Sequence, residues 1–131
     1  MTILIADDDR LLTGVLSTRL KQAGFETQVV FDAMQAIRIA QHIAPAAVLL
    51  NVNMPRGTGL HVLRQLKSSI ETSRIPIIVI NGSLDPKTEE AVRRLGAEEC
   101  LGRPPDFERL LGMLHRLVGQ PPAINENRAM G

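Results

Sequence analysis

The sequence predicts an α/β protein, a (βα)5 chain wound into a doubly wound, five-stranded parallel sheet with helices on both faces. Short apolar runs alternate with longer amphipathic ones as far as residue 119. Two of the short runs, Ala47-Val48-Leu49-Leu50 and Ile77-Ile78-Val79-Ile80, are apolar at consecutive positions, as central strands covered on both faces must be. Acidic, amide and glycine residues gather where the apolar runs stop, the place where such sheets put their functional groups.

The strands read as 2–6, 26–30, 46–50, 76–80 and 98–101. Met1-Thr2-Ile3-Leu4-Ile5-Ala6 runs straight into three acids and lacks the basic lead and length of a secretion signal or membrane span, so it reads as a buried strand. Leu12, Leu16 and Leu20 share one face of a first helix. Ala36, Ile37 and Ala40 do so in a second, and Leu60, Leu63 and Leu66 in a third. Ala91, Val92 and Leu95 give a fourth helix, with Gly96 in the position a helix stop prefers. Phe107, Leu110, Leu111, Leu114, Leu117 and Val118 give a fifth, and Asp106 before it is a suitable N-cap. Periodicity ends at Gly119. Residues 1–119 therefore read as the domain and 120–131 as a mobile tail or the start of a linker.

The chain has 131 residues, one domain's worth, with 44% hydrophobic and 22% charged residues, which excludes a wholly disordered chain. Fifteen Lys and Arg against fourteen Asp and Glu leave a net charge of +1, too balanced for affinity built on neutralising phosphates. Three Phe, no Trp and no Tyr leave little on which to stack bases, so nucleic-acid binding by this domain alone is disfavoured. A membrane role has no segment to carry it. The single cysteine, Cys100, forms no internal disulfide, and a reducing, cytoplasmic setting is expected.

The strand ends carry the chemistry. Asp7-Asp8-Asp9 follows the first strand, Asn51-Val52-Asn53-Met54-Pro55 the third, Asn81-Gly82 the fourth and Gly102-Arg103-Pro104-Pro105 the fifth. Two carboxylates about 4 Å apart repel by roughly 4 kcal/mol at an effective dielectric near 20, so something must offset the acidic run. A divalent cation, magnesium for preference, or a guanidinium would serve. The bland alternative is that the acids cap the first helix and favour its positive end.

These motifs resemble the receiver domain of two-component response regulators, over residues 1–119. The resemblance implies a flavodoxin-like sheet in the order 2-1-3-4-5. It also implies an acidic metal-binding pair at Asp7 and Asp8, with Asp8 the more direct ligand and the Asn53 backbone carbonyl completing the site. Met54-Pro55 is the family landmark, and it puts the phosphoacceptor position at Asn51, not Asp. The family's Thr or Ser position is Asn81, its lysine position Arg103 followed by Pro104 in a bond that is typically cis, and its switch aromatic Cys100.

Each departure has a consequence. The Asn51 amide is neutral, with its nitrogen lone pair delocalised, so it is no nucleophile toward phosphorus. Removing one carboxylate also weakens a magnesium site, so the expectation is no cofactor or weakly bound magnesium, at a vestigial site. Arginine grips carboxylates with two parallel bonds, so Arg103 should neutralise Asp7 or Asp8. Asn81 lacks the hydroxyl that would swing toward a phosphoryl group, although its amide could bond Asn51 or the loop backbone.

The expected function is a degenerate receiver: a protein-interaction module in a two-component phosphorelay, not an enzyme, and not phosphorylated at Asn51. Its partners would be a histidine kinase or an output domain. A homodimer through the fourth helix, fifth strand and fifth helix is the other association the resemblance implies. Two alternatives stand beside it: an ordinary receiver carrying an engineered Asp→Asn change at 51, and a metal-dependent phosphatase using Asp7 and Asp9. A flavin or nucleotide binder fits poorly, because Asp7-Asp8-Asp9 would repel phosphate.

Overall fold

In the computed structural model of the chain, residues 1–82 and 85–122 are described. Of the tail expected over 120–131, residues 123–131 lie outside them, as do 83 and 84. The elements alternate along the chain: β1 (Thr2–Ala6), α1 (Arg10–Gln22), β2 (Glu26–Val30), α2 (Ala33–Ile43), β3 (Ala47–Leu50), α3 (Gly59–Ser68), β4 (Ile77–Ile80), α4 (Pro86–Arg94), β5 (Glu99–Leu101) and α5 (Phe107–Val118). All pairings are parallel and the strand order is β2-β1-β3-β4-β5. The third, fourth and fifth strands each begin one residue later than the sequence suggests, because Ala46, Pro76 and Glu98 serve as lead-ins. Proline at 76 has no N–H for the ladder, and the N–H groups of Ala46 and Glu98 bond Thr2 O and Ile77 O from outside it.

Period-two alternation divides the strand side chains between two cores. Leu4, Ala6, Val48, Leu50, Ile77, Val79 and Cys100 face α2, α3 and α4, where Ala36, Ala40, Val62, Leu63, Leu66 and Val92 meet them. Ile3, Ile5, Ala47, Leu49, Ile78, Ile80 and Leu101 face α1 and α5, against Leu16, Leu20, Leu110, Met113 and Leu114. Burying each such Leu or Ile stabilises by about 2 kcal/mol. One expectation fails here: Ala91 is exposed, and α4 rests on the core through Val92 alone among its buried residues.

Every helix opens on a side chain that accepts a backbone N–H: Asp9, Asp32, Thr58, Asp85 and Asp106. Gly96 follows α4 at φ +111°, and a Cβ there would also press to 3.0 Å from the Lys67 side chain. The three phenylalanines are spent on packing: Phe25 stacks on His115, Arg10 covers Phe31, and Arg19 covers Phe107. At the opposite pole from the strand C-termini, Pro121 lies against the turn at Gly24, which has φ +98°.

Candidate functional site

The sheet itself aims the candidate residues. Beyond the regular strands, Asp7 N donates to Val30 O, Asn51 N to Ala6 O and Asn81 N to Leu101 O, at 3.1, 2.9 and 2.9 Å. Three backbones are thereby pinned to neighbouring strands, and their side chains project from adjacent C-terminal ends. All three residues are buried, Asp7 at 3%, Asn51 at 6% and Asn81 at 4% exposure.

A second constraint comes from α3. A Cβ on Gly59 would lie 2.2 Å from Asn51 O and 2.4 Å from Val52 Cα, so only glycine lets this helix start against the end of β3. The Gly59 N–H donates to Val52 O at 2.8 Å, fixing the turn that carries Asn51 through Asn53. Sequence reasoning passed over Gly59; the signal was its place directly after Thr58, the helix cap.

The three acids divide their work. Asp9 caps α1, accepting from Leu11 N and Leu12 N at 3.0 and 3.1 Å, which is the bland reading of the acidic run realised in one residue. Asp7 Oδ1 accepts from Asp9 N at 3.0 Å, and the Arg103 guanidinium grips both Asp7 oxygens, with Nη2 on Oδ1 at 3.0 Å and Nη1 on Oδ2. Arg103 Nη2 also reaches Asp9 Oδ2 at 3.4 Å. Hydrogen bonding to Asp7 holds the Arg103 pKa above its ordinary value, against a smaller opposing effect of burial. The Arg103 stem passes Gly82, where a Cβ would stand 3.7 Å from Cδ. The Arg103–Pro104 bond is cis.

Asn51 faces the same cluster with its nitrogen. Nδ2 donates to Asn53 O at 2.9 Å, Asp7 Oδ1 at 3.2 Å and Asp8 Oδ1 at 3.3 Å, while Oδ1 accepts from Asn53 N at 3.1 Å. This pattern sets the amide's orientation, since a flip would turn an oxygen toward three oxygens and an N–H₂ toward an N–H. Among the described residues every buried side-chain N and O atom has a hydrogen-bond partner, and no three His, Cys, Asp or Glu side chains converge to hold a metal ion.

The structure thus brings together Asp7, Asp8, Asn51, Asn53 and Arg103, with Asn81 at the neighbouring strand end. Cys100 stays apart. It pairs in register with Val79 inside the core, at 6% exposure, and burial above all raises its thiol pKa.

Two outer faces flank this end of the sheet. On the α4, β5 and α5 side, charges pair within the chain: Arg93 with Glu89 and Glu99, Arg94 with Glu90, and Arg116 with Glu99. The large exposed apolar side chains among the described residues lie elsewhere, with Leu11 (81%) and Val15 on α1. Those two line a groove of about 440 Å³ with Asp9, Leu12, Arg103 and Pro104. No helix among the described residues is long and apolar enough to cross a membrane.

Comparison with known proteins agrees with the fold. The response regulator MprA of Mycobacterium avium is 32% identical over 118 residues, covering 90% of this chain and 51% of MprA. This chain spans from 16% to about half, 51%, of the length of the first curated relatives it matches. Among solved structures, the signal receiver domain of a DNA-binding response regulator from Colwellia psychrerythraea superposes with a TM-score of 0.86 at 26% identity, covering 92% of this chain and 99% of that one. The receiver domain of the sensor histidine kinase PA1611 from Pseudomonas aeruginosa shares the fold, with a TM-score of 0.83 at 24% identity over 91% of this chain and 98% of that one. In that structure a magnesium ion is coordinated in the active-site cleft. The family model for the response regulator receiver domain matches residues 3–115, and the chain belongs to that family of two-component signalling modules.

Proposed function

We propose that this receiver domain signals by protein contact without phosphorylation at residue 51. The observation that carries the reading is the Asn51 amide, whose nitrogen occupies the end of β3 with its protons committed to Asp7, Asp8 and Asn53. An amide nitrogen in that position has no lone pair to offer phosphorus, and no neighbouring base could create one. Asn81 and Cys100 stand where the family's hydroxyl and switch ring would be, so the parts that would report phosphorylation are missing too. On this reading the domain is not an enzyme.

The partner is a signalling protein, a histidine kinase or an output domain, met in the cytoplasm. Exposed Leu11 and Val15 beside Arg103 and Pro104 support a contact on α1, adjacent to the site. The homodimer expected through α4, β5 and α5 has less support, because the charges on that face are paired within the chain. Incubation with a small acyl phosphate and magnesium, followed by intact-mass measurement, tests the reading. An unmodified chain is expected; a stable phosphoryl adduct overturns it.

A further inference from the structure

The oxygens that a hard cation would use at this end of the sheet are Asp7 Oδ1, Asp8 Oδ1 and the Asn53 carbonyl. All three are turned toward one atom, Asn51 Nδ2, at 3.2, 3.3 and 2.9 Å. Asp7 is further held by both terminal nitrogens of Arg103. A metal ion bound among these oxygens must displace N–H donors that already satisfy them. It must also turn the Asn51 carbonyl inward, which costs the bond from Asn53 N to Asn51 Oδ1 at 3.1 Å. The residues present therefore do not fit magnesium.

Resting on the reading of Asn51 given above, we propose that the Asn51 amide and the Arg103 guanidinium together stand in for the divalent cation and make this receiver domain metal-independent. The two groups act separately. Asn51 fills the position between the oxygens with partial positive charge on its two protons, shared among three acceptors. Arg103 neutralises Asp7 through both of its oxygens with a full charge and a rigid fork, which a lysine's point charge does not reproduce. Removing one group leaves the other in place, so restoring a carboxylate at 51 is not sufficient to recover metal binding.

The test is a magnesium chloride titration of the wild-type chain, Asn51→Asp, Arg103→Lys and the double variant. It is followed by calorimetry and by the backbone amide resonances of residues 7 and 8. No saturable binding is expected for the wild type, weak binding at most for either single variant, and binding about a hundredfold tighter in the double variant than in Asn51→Asp. Asn51→Asp binding as tightly as the double variant, or a double variant that gains nothing, overturns the proposal. Should Arg103→Lys fail to fold, the wild-type Asn51 Nδ2 proton resonances give an independent reading. They should not move with magnesium, and a saturable shift would show the amide flipping to serve a metal and overturn the proposal. Phosphoryl uptake by the wild type would overturn the reading of Asn51 as a non-acceptor, a separate result recorded by mass.

Discussion

Asn51 offers two N–H protons to three oxygens, and Arg103 offers two parallel donors to one carboxylate, so the acidic residues at the end of β1 are neutralised from within the chain. Asn51→Asp exchanges the donor for an oxygen about 3 Å from Asp7 and Asp8, and should destabilise the fold by about 2 kcal/mol at neutral pH. The Asp7 and Asp8 carboxylates beside it should favour the neutral form of the introduced carboxyl. Its stabilising neutral form persists at low pH and is lost as pH rises, so the melting-temperature gap to wild type should narrow in acid. An undiminished gap at low pH would argue against charge repulsion as the cause. Cys100 gives a second check. Burial raises its pKa, so its contribution to stability is constant below the ordinary thiol range and falls as pH rises through the raised value. In the native protein near pH 8 it should resist iodoacetamide and become reactive on unfolding in urea.

At the scale of elements, α3, the loop after it and the approach to β5 are tied by one lysine. Lys67 Nζ donates to Ile75 O at 2.9 Å, Ser73 O at 3.3 Å and Glu98 Oε1 at 2.6 Å, while Glu98 Oε2 accepts from Ile77 N at 2.6 Å. Lys67→Met should cost about 2–3 kcal/mol in urea unfolding, since it leaves a half-buried carboxylate and two carbonyls without their donor. A loss within about 0.5 kcal/mol, the scale of an ordinary surface change, would contradict that role. The strands were legible to within one residue, β1, β3 and β4 from apolar runs and β2 and β5 from their place between helical periods, and Asp106 was legible as a cap because acid precedes a helical period. The exposure of Ala91 was not legible: α4 is short, strongly charged and anchored by Val92, so its period alone did not say which small residues face inward. Gly59 had one local sign, its place after the cap Thr58, but its necessity comes from contact with the backbone of Asn51, which local sequence does not encode.

For the whole molecule, right-handed crossovers and two apolar central strands pointed to a doubly wound sheet, the family resemblance implied the order 2-1-3-4-5, and the observed sheet has it. The residues that gather at the C-terminal edge were equally foreseeable, because strand ends in such a sheet converge. What the sequence could not show was the division of labour among three adjacent acids: Asp9 on the helix, Asp7 on Arg103, and Asp8 on the Asn51 amide. Their identities are the same, and only the direction each side chain takes at the strand end separates them. On the outer surface, pairing of Arg93, Glu99 and Arg116 within one chain predicts a monomer in sedimentation velocity, at the 14.4 kDa of the chain. A dimer that dissociates in Arg116→Glu would instead place the α4, β5 and α5 face at an interface.

On the proposed reading a receiver fold is retained here while its covalent trigger is gone. That reading is tested most directly by intact-mass spectrometry of the wild-type chain after exposure to a small acyl phosphate and excess magnesium, with the Asn51→Asp/Arg103→Lys double variant treated in parallel. An unmodified wild-type mass is expected, with a phosphoryl adduct on the double variant that hydrolyses as an acyl phosphate does. A stable adduct on the wild-type chain would contradict the reading.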